Sequence, residues 1–293
     1  MKTVGCDVMT VDVEDWHSAT YLQRWGDVVD PTPEVLESGL RLLDYFQTHG
    51  ICATWFMLGE VAEHFPELPR RIAAAGHELG IHGYHHHPIH ALSPDAFRES
   101  LRRAKSVVED ASGTGVIGYR AVDFSLGRTT WYALDILLES GFLYDSSIFP
   151  FAGPRYGIAD ASPFPGPVRT SAGRTIFELP MTVASAGGRT IPGGGGGYLR
   201  HFPLAITRCV LRRARTAGVP IVFYLHPSEV EPNPRRRLVP EGLSAAASLA
   251  FKFYTWTQTR NRAATLGKLS ALCREHRFDS VRGVFAAELG LAA

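Results

Sequence analysis

The sequence predicts an α/β fold in which helices cover a parallel sheet. Three observations carry this. Strand-like apolar runs alternate with helix-like runs along most of the 293 residues. Several of those strand-like runs have the composition of buried strands. Four runs end on a titratable or cationic residue, Asp12, His82, Arg120 and His226. The carboxyl ends of parallel strands are where active sites assemble in barrels and open α/β sheets.

The elements follow in order. Residues 4–13 read as a buried strand, and 33–49 as an amphipathic helix with Pro33 and Glu34 in its first turn and Gly50 at its exit. A second strand covers 51–58, a helix 68–75 ends at Gly76, and a short strand spans 78–82. Ser93, Pro94 and Asp95 open a helix to residue 111, the serine as N-cap and the proline at the first helical position. A fourth strand at 116–120 precedes a helix at 130–140, stopped by Gly141. Proline and glycine dominate 149–197, with one strand at 175–179. A basic helix spans 203–217 and a strand 219–226. The tail holds a polar stretch, a helix near 262–276 and a last strand near 278–284. No repeat or low-complexity linker divides the chain. Residues 1–293 are therefore expected to form one domain, with 230–293 as a C-terminal extension packed on it.

Composition narrows the partners. A 45% hydrophobic content supports a substantial core, and a net charge of +1 sets up no field for nucleic acid or an anionic membrane. No run approaches the roughly 18 apolar residues of a membrane span, and the first residues leave no room for a signal peptide. Cys6, Cys52, Cys209 and Cys273 form no C-x-x-C pair, and three lie in apolar patterns that suit reduced, buried thiols. A cytoplasmic location is the expectation.

The chemistry concentrates in two places. Residues 77–89 hold five of the twelve histidines, and His90 adds a sixth. His82 and His86 are four apart, so a loop can converge both rings on one ion, with His85, His87 and His90 left to the periphery. The acidic knot of Asp12, Glu14 and Asp15 follows the first strand, and several carboxylates buried together need a cation. Two histidines, a carboxylate and open positions for water describe a hydrolytic metal site. Arg120 is placed to neutralise Asp12, and His226, followed by Pro227, suits a proton donor. Gly193 to Gly197 lack the following G-K-[ST] of a phosphate loop and suit a flexible loop beside the site. The stretch Arg235-Arg236-Arg237 suits a solvated face. Trp16, Tyr156 and Tyr198 are candidates for stacking on sugar rings.

Taken together, the motifs resemble the polysaccharide deacetylases with a NodB homology domain, of the carbohydrate esterase family 4 type. The nearer resemblance is to the branch associated with exosortase (PEP-CTERM) exopolysaccharide systems. The residues that carry it are Thr10 to Trp16, His82 to His86, Gly118 to Ala121, Tyr144 to Pro150, Glu178 to Pro180, Gly193 to Tyr198 and Phe223 to Glu229. The likeness runs from about residue 5 to 285. It implies a distorted (β/α) barrel with fewer than eight complete units. It also implies hydrolysis of an N-acetyl group on an N-acetylhexosamine-containing glycan. Asp12 would then be the general base, with Arg120 holding it ionised, and His226 the general acid. His82 and His86 would bind one divalent metal, usually zinc.

Two positions depart from the family pattern. Val13 stands where many members have a second aspartate, so Glu14 is expected as the carboxylate ligand, with Asp15 as the alternative. Val122 replaces a common proline after Arg120, which loosens the backbone there. Asp145 and Glu178 fall within the resembling motifs as substrate-binding or supporting residues, Glu178 in the motif that supports the acid. Two other readings keep part of this picture: a metal-dependent hydrolase of a non-sugar amide, and a non-catalytic sugar-binding module.

Overall fold

The computed structural model describes residues 6–25, 30–153, 156–235 and 237–291. The first two residues assigned above to the opening strand, Val4 and Gly5, lie outside these, as does Arg236. In chain order the strands are β1 (Asp7–Val13), β2 (Thr54–Met57), β3 (Glu78–Ile81), β4 (Gly118–Tyr119), β5 (Tyr144–Asp145), β6 (Gly166–Arg169), β7 (Thr175–Glu178), β8 (Val183–Ala186), β9 (Arg189–Pro192), β10 (Val222–Leu225) and β11 (Phe278–Asp279). The helices are α1 (Pro33–His49), α2 (Gly59–His64), α3 (Glu67–Ala74), α4 (Pro94–Ser112), α5 (Ala133–Glu139), α6 (Gly196–His201), α7 (Leu204–Thr216), α8 (Ala245–Thr259), α9 (Thr265–Cys273) and α10 (Val281–Phe285).

The main sheet runs β10-β1-β2-β3-β4-β5-β7-β6, parallel except for the β6–β7 pair, with β11 added against β1. This is the incomplete, distorted (β/α) barrel that the resemblance implies. Strands β1, β2, β3 and β10 are buried throughout, which explains their largely apolar sequences. Thr32 and Ser93 cap α1 and α4 with their hydroxyls, each followed by proline, and Gly50 and Gly113 end those helices in the left-handed conformation.

Register sets the functional end. Met57 pairs with Ile81, Ile81 with Tyr119, and Tyr119 with Asp145. The residue after each pairing continues the ladder: His82 N–H donates to Met57, Arg120 N–H to Ile81 and Ser146 N–H to Tyr119. Val11 pairs with Leu225, so Asp12 and His226 emerge one step beyond the same level. Strands β10, β1, β3, β4 and β5 thus bring His226, Asp12, His82, Arg120 and Ser146 toward one rim, Asp12 from within the last pairings of β1 and the others from just past their strands.

Several expectations need correction. The glycine run at 193–197 is packed tightly and is no flexible loop. Gly194 O accepts from Tyr224 N–H at 2.7 Å, and Gly193 N–H donates to Thr182 O, so the run bridges β10 to the chain beyond β7. A Cβ on Gly194 would collide with Val222 O and lie 3.1 Å from Thr182 Cβ, so only glycine fits. The expected last strand stops at Asp279, because Ser280 caps a helix by accepting from Gly283 N–H. Short elements α2, β5, β6, β8 and β9, and the longer α8, lie where no element was assigned. The cysteines are free, but Cys6 is exposed and the other three only half-buried. No helix among the described residues is long and apolar enough to cross a membrane.

Candidate active site

Asp12, the last outward-reaching carboxylate of β1, is 2% exposed and accepts a 2.8 Å hydrogen bond from Arg120 Nη1. Arg120 is fully buried. Its other donors reach Thr10 Oγ1 at 2.7 Å, Ser146 O at 3.0 Å and Ser146 Oγ at 2.8 Å, and its guanidinium stacks 4.3 Å from the Phe56 ring. A planar fork held at this many points orients the carboxylate it meets.

Glu14 turns toward the histidines. Its Oε2 lies 2.5 Å from His86 Nε2 and 3.8 Å from His82 Nε2, and the three ligand atoms fall within 4.8 Å of one another. The Oε2 atom is buried yet accepts no well-directed hydrogen bond. Burial opposes its charge, but His86 and His226 beside it bring Glu14 down to about 2. The far nitrogen of His82 is 2.8 Å from the Arg120 carbonyl, leaving Nε2 toward Glu14. His86 Nδ1 is turned to Thr20 Oγ1 at 3.4 Å. Such an outward hydrogen bond orients a ligating imidazole.

Asp15 goes elsewhere. Its carboxylate accepts from Trp16 N–H at 2.6 Å and Thr32 N–H at 2.5 Å, tying the acidic knot to the start of α1, and its other neighbour is His17. The geometry therefore brings Glu14, and not the alternative Asp15, to the histidine pair.

His226 Nε2 stands 3.4 Å from Glu14 Oε1, and its backbone N–H donates to Glu229 at 3.0 Å. Burial alone would depress this histidine; the Glu14 and Glu229 carboxylates overcome it and lift it to about 9. The carboxylate beside His226 is thus Glu229, which stands at the end of a resembling motif with no role expected of it, while Glu178, expected to support His226, keeps other partners. The signal was present: Pro227 opens a 3₁₀ turn, Pro227–Val230, that carries the residue three after His226 back to it. Glu178 instead sits with Asp145 beneath the site, accepting from Ile148 N–H at 3.0 Å. Burial, joined by the Asp145 charge, pushes Glu178 well above the carboxylate range, and burial raises Asp145 as well.

These groups open into a cavity of about 480 Å³ whose walls include Asp12, Glu14, His82, His86, Trp16, Tyr156, Tyr198 and His226. Trp16, Tyr156 and Tyr198, the three aromatic candidates, all line it, and the two tyrosine hydroxyls are 3.3 Å apart. Val122 remains buried in place of the family's proline, and the chain beyond it turns sharply. Asp123 (φ 51) and Phe124 (φ 49) both adopt left-handed backbone, which sets the Phe124 ring against Tyr156 and Tyr224 in the cavity wall. Arg237, expected on a solvated face, is 8% exposed in its side chain, lies 3.8 Å over the Trp16 ring and clasps Glu34.

Residues 33–137 match the family model for polysaccharide deacetylase, and 146–286 match a domain of unknown function, DUF3473. His82, His86 and Arg120 fall in the first stretch and His226 and Glu229 in the second. A peptidoglycan deacetylase of Helicobacter pylori is 34% identical over 108 residues, covering 37% of this chain and 36% of that protein. A peptidoglycan-N-acetylglucosamine deacetylase of Bacillus cereus is 35% identical over 78 residues, covering 27% of this chain and 28% of its own. The matched stretches thus span about a third of those relatives' length. The crystal structure of a candidate polysaccharide deacetylase from Mycobacterium smegmatis superposes with a TM-score of 0.61 at 21% identity, covering 100% of this chain and 96% of the other. That last likeness concerns the fold.

Proposed function

Because the chain carries a polysaccharide deacetylase domain, we propose that it hydrolyses the N-acetyl amide of an N-acetylhexosamine in a glycan or glycoconjugate, releasing acetate and a free amine. The observation that carries the reading is one cavity lined by a clamped carboxylate, an imidazole with its own carboxylate partner, and a two-histidine, one-carboxylate set.

The set fits a divalent ion. Three converging ligand atoms and a buried Glu14 oxygen without a directed hydrogen bond are the donor arrangement of a catalytic zinc site with positions left open. When bound, such an ion acidifies a water molecule and polarises an acyl oxygen. Asp12, fixed by Arg120, accepts the proton of the attacking water as the C–O bond forms. His226 returns a proton to the sugar nitrogen as the C–N bond breaks, since an amide nitrogen leaves only as the neutral amine. Glu229 orients His226 for that transfer. Trp16, Tyr156 and Tyr198 present apolar faces and hydroxyls of the kind that hold a pyranose ring.

Acetate release from a panel of N-acetylated oligosaccharides, with chelated and zinc-reloaded protein side by side, tests the reading. Zinc-dependent release is expected. A zinc-loaded protein that frees no acetate from any of them overturns it.

A further inference from the structure

Arg262 sits between the main cavity and a second hollow beside it, and its side chain lines both. The residue is 5% exposed. Its Nε–H donates to the Gln258 carbonyl at 2.7 Å. Among the described residues no carboxylate lies within 4.0 Å of the guanidinium, and no acceptor takes the hydrogens of its two terminal nitrogens. A buried guanidinium without a counter-ion is costly. Here burial, with Arg200 adding repulsion, holds Arg262 down to about 10.

The carboxylates whose charge reaches Arg262, Glu229 and Glu34, are already engaged. Both terminal nitrogens of Arg237 clasp Glu34, at 2.7 and 2.6 Å. Glu229 faces His226 and stands 3.7 Å from Arg200 Nε, an atom that is itself buried without an acceptor. Three guanidinium groups, Arg200, Arg237 and Arg262, therefore line the cavity that also holds Glu14 and His226, with Glu229 among them and Glu34 on the second hollow.

We propose that Arg262 receives an oxyanion carried by the substrate, a carboxylate or a phosphate group on the N-acetylated sugar or on the residue next to it. This rests on the deacetylase reading and narrows its substrate class. The paired N–H groups of a guanidinium match either oxyanion bidentately. A neutral glycan leaves those donors unpaired, so the site discriminates against it.

The test compares kcat/KM for three substrates: a neutral N-acetylglucosamine oligosaccharide, a counterpart with an adjacent glucuronate, and one with a phosphomonoester. Wild-type protein is expected to favour an anionic substrate about tenfold or more, the gain of one charged hydrogen-bonded contact. Which anion is favoured identifies its source. Arg262→Gln should bring the anionic-to-neutral ratio close to one, and Arg262→Lys should keep part of the preference. A wild-type ratio of one overturns the proposal, as does an Arg262→Gln protein with an unchanged ratio. Calorimetry with the corresponding deacetylated products separates the two readings. Arg262-dependent, salt-sensitive binding of the anionic products without acetate release from any substrate would leave the anion site standing and remove the deacetylase.

Discussion

Arg120 Nη1 and Asp12 Oδ1 stand 2.8 Å apart with both side chains sealed from solvent, joining two strands 108 residues apart in the chain. Replacing Asp12 with asparagine keeps the shape and removes the proton acceptor. Hydrolysis should fall about 10²–10⁴-fold, the usual worth of a general base, with zinc content unchanged. Arg120→Met instead leaves Asp12, Thr10 and the Ser146 carbonyl without their donor. Denaturant melts should show a loss of about 3–5 kcal/mol, the cost of breaking one side of a buried pair. Full activity in Asp12→Asn would remove it from the role of base.

The choice between neighbouring acids is decided by metal analysis. Glu14→Gln should weaken zinc binding by at least the roughly 10–100-fold seen for lost outer partners. Asp15→Ala should retain zinc while losing about 1–3 kcal/mol, because Trp16 N–H and Thr32 N–H lose their acceptor. The reverse pattern would make Asp15 the ligand.

Two glycines separate packing from positioning. Gly194→Ala forces a methyl against the Val222 carbonyl and should cost about 1–3 kcal/mol of stability. Gly196→Ala meets the end of the Glu229 side chain, which can move, so its main effect should fall on His226. For that variant kcat should drop roughly tenfold with little change in KM or melting temperature. Equal kinetic and thermal behaviour of the two variants would argue against a positioning role for Glu229.

His77 gives stability a pH dependence outside the active site. Burial depresses it from 6.5 to about 4, and its Nδ1 accepts from Ala53 N–H at 3.1 Å. The unfolded chain therefore binds the proton first. Stability from this group is fully present above pH 6.5, declines as the pH falls from 6.5 toward 4, and is level below that. The total is on the order of 3 kcal/mol. Urea midpoints measured between pH 7 and 4.5 should fall, and His77→Gln should flatten that slope. An unaltered slope in the variant would place the titration elsewhere.

Strand ends were legible because a parallel strand buried on both faces is mostly apolar, so His82, Arg120 and His226 stand out just past the sheet and Asp12 near the end of β1. Helix limits at Pro33, Gly50 and Ser93 were legible for a similarly local reason, since caps and first turns use side-chain and backbone groups within a few residues. Short strands such as Tyr144–Asp145 and Gly166–Arg169 were not, because two to four residues carry no period of their own and exist only against a partner.

By itself, then, the sequence determined the alternation of elements, the rim on which the chemistry gathers, and the residue types present there. Only the tertiary structure decided which neighbour does what. Glu14 and Asp15 are adjacent and chemically alike, and it is the turn after Val13 that sends one to the histidines and the other to the first turn of α1. Arg262 and Arg237 look like any surface arginines until the C-terminal chain folds back over the cavity and buries them. Local sequence encodes hydrogen bonds a few residues long, whereas the worth of a charge depends on what the rest of the chain places around it.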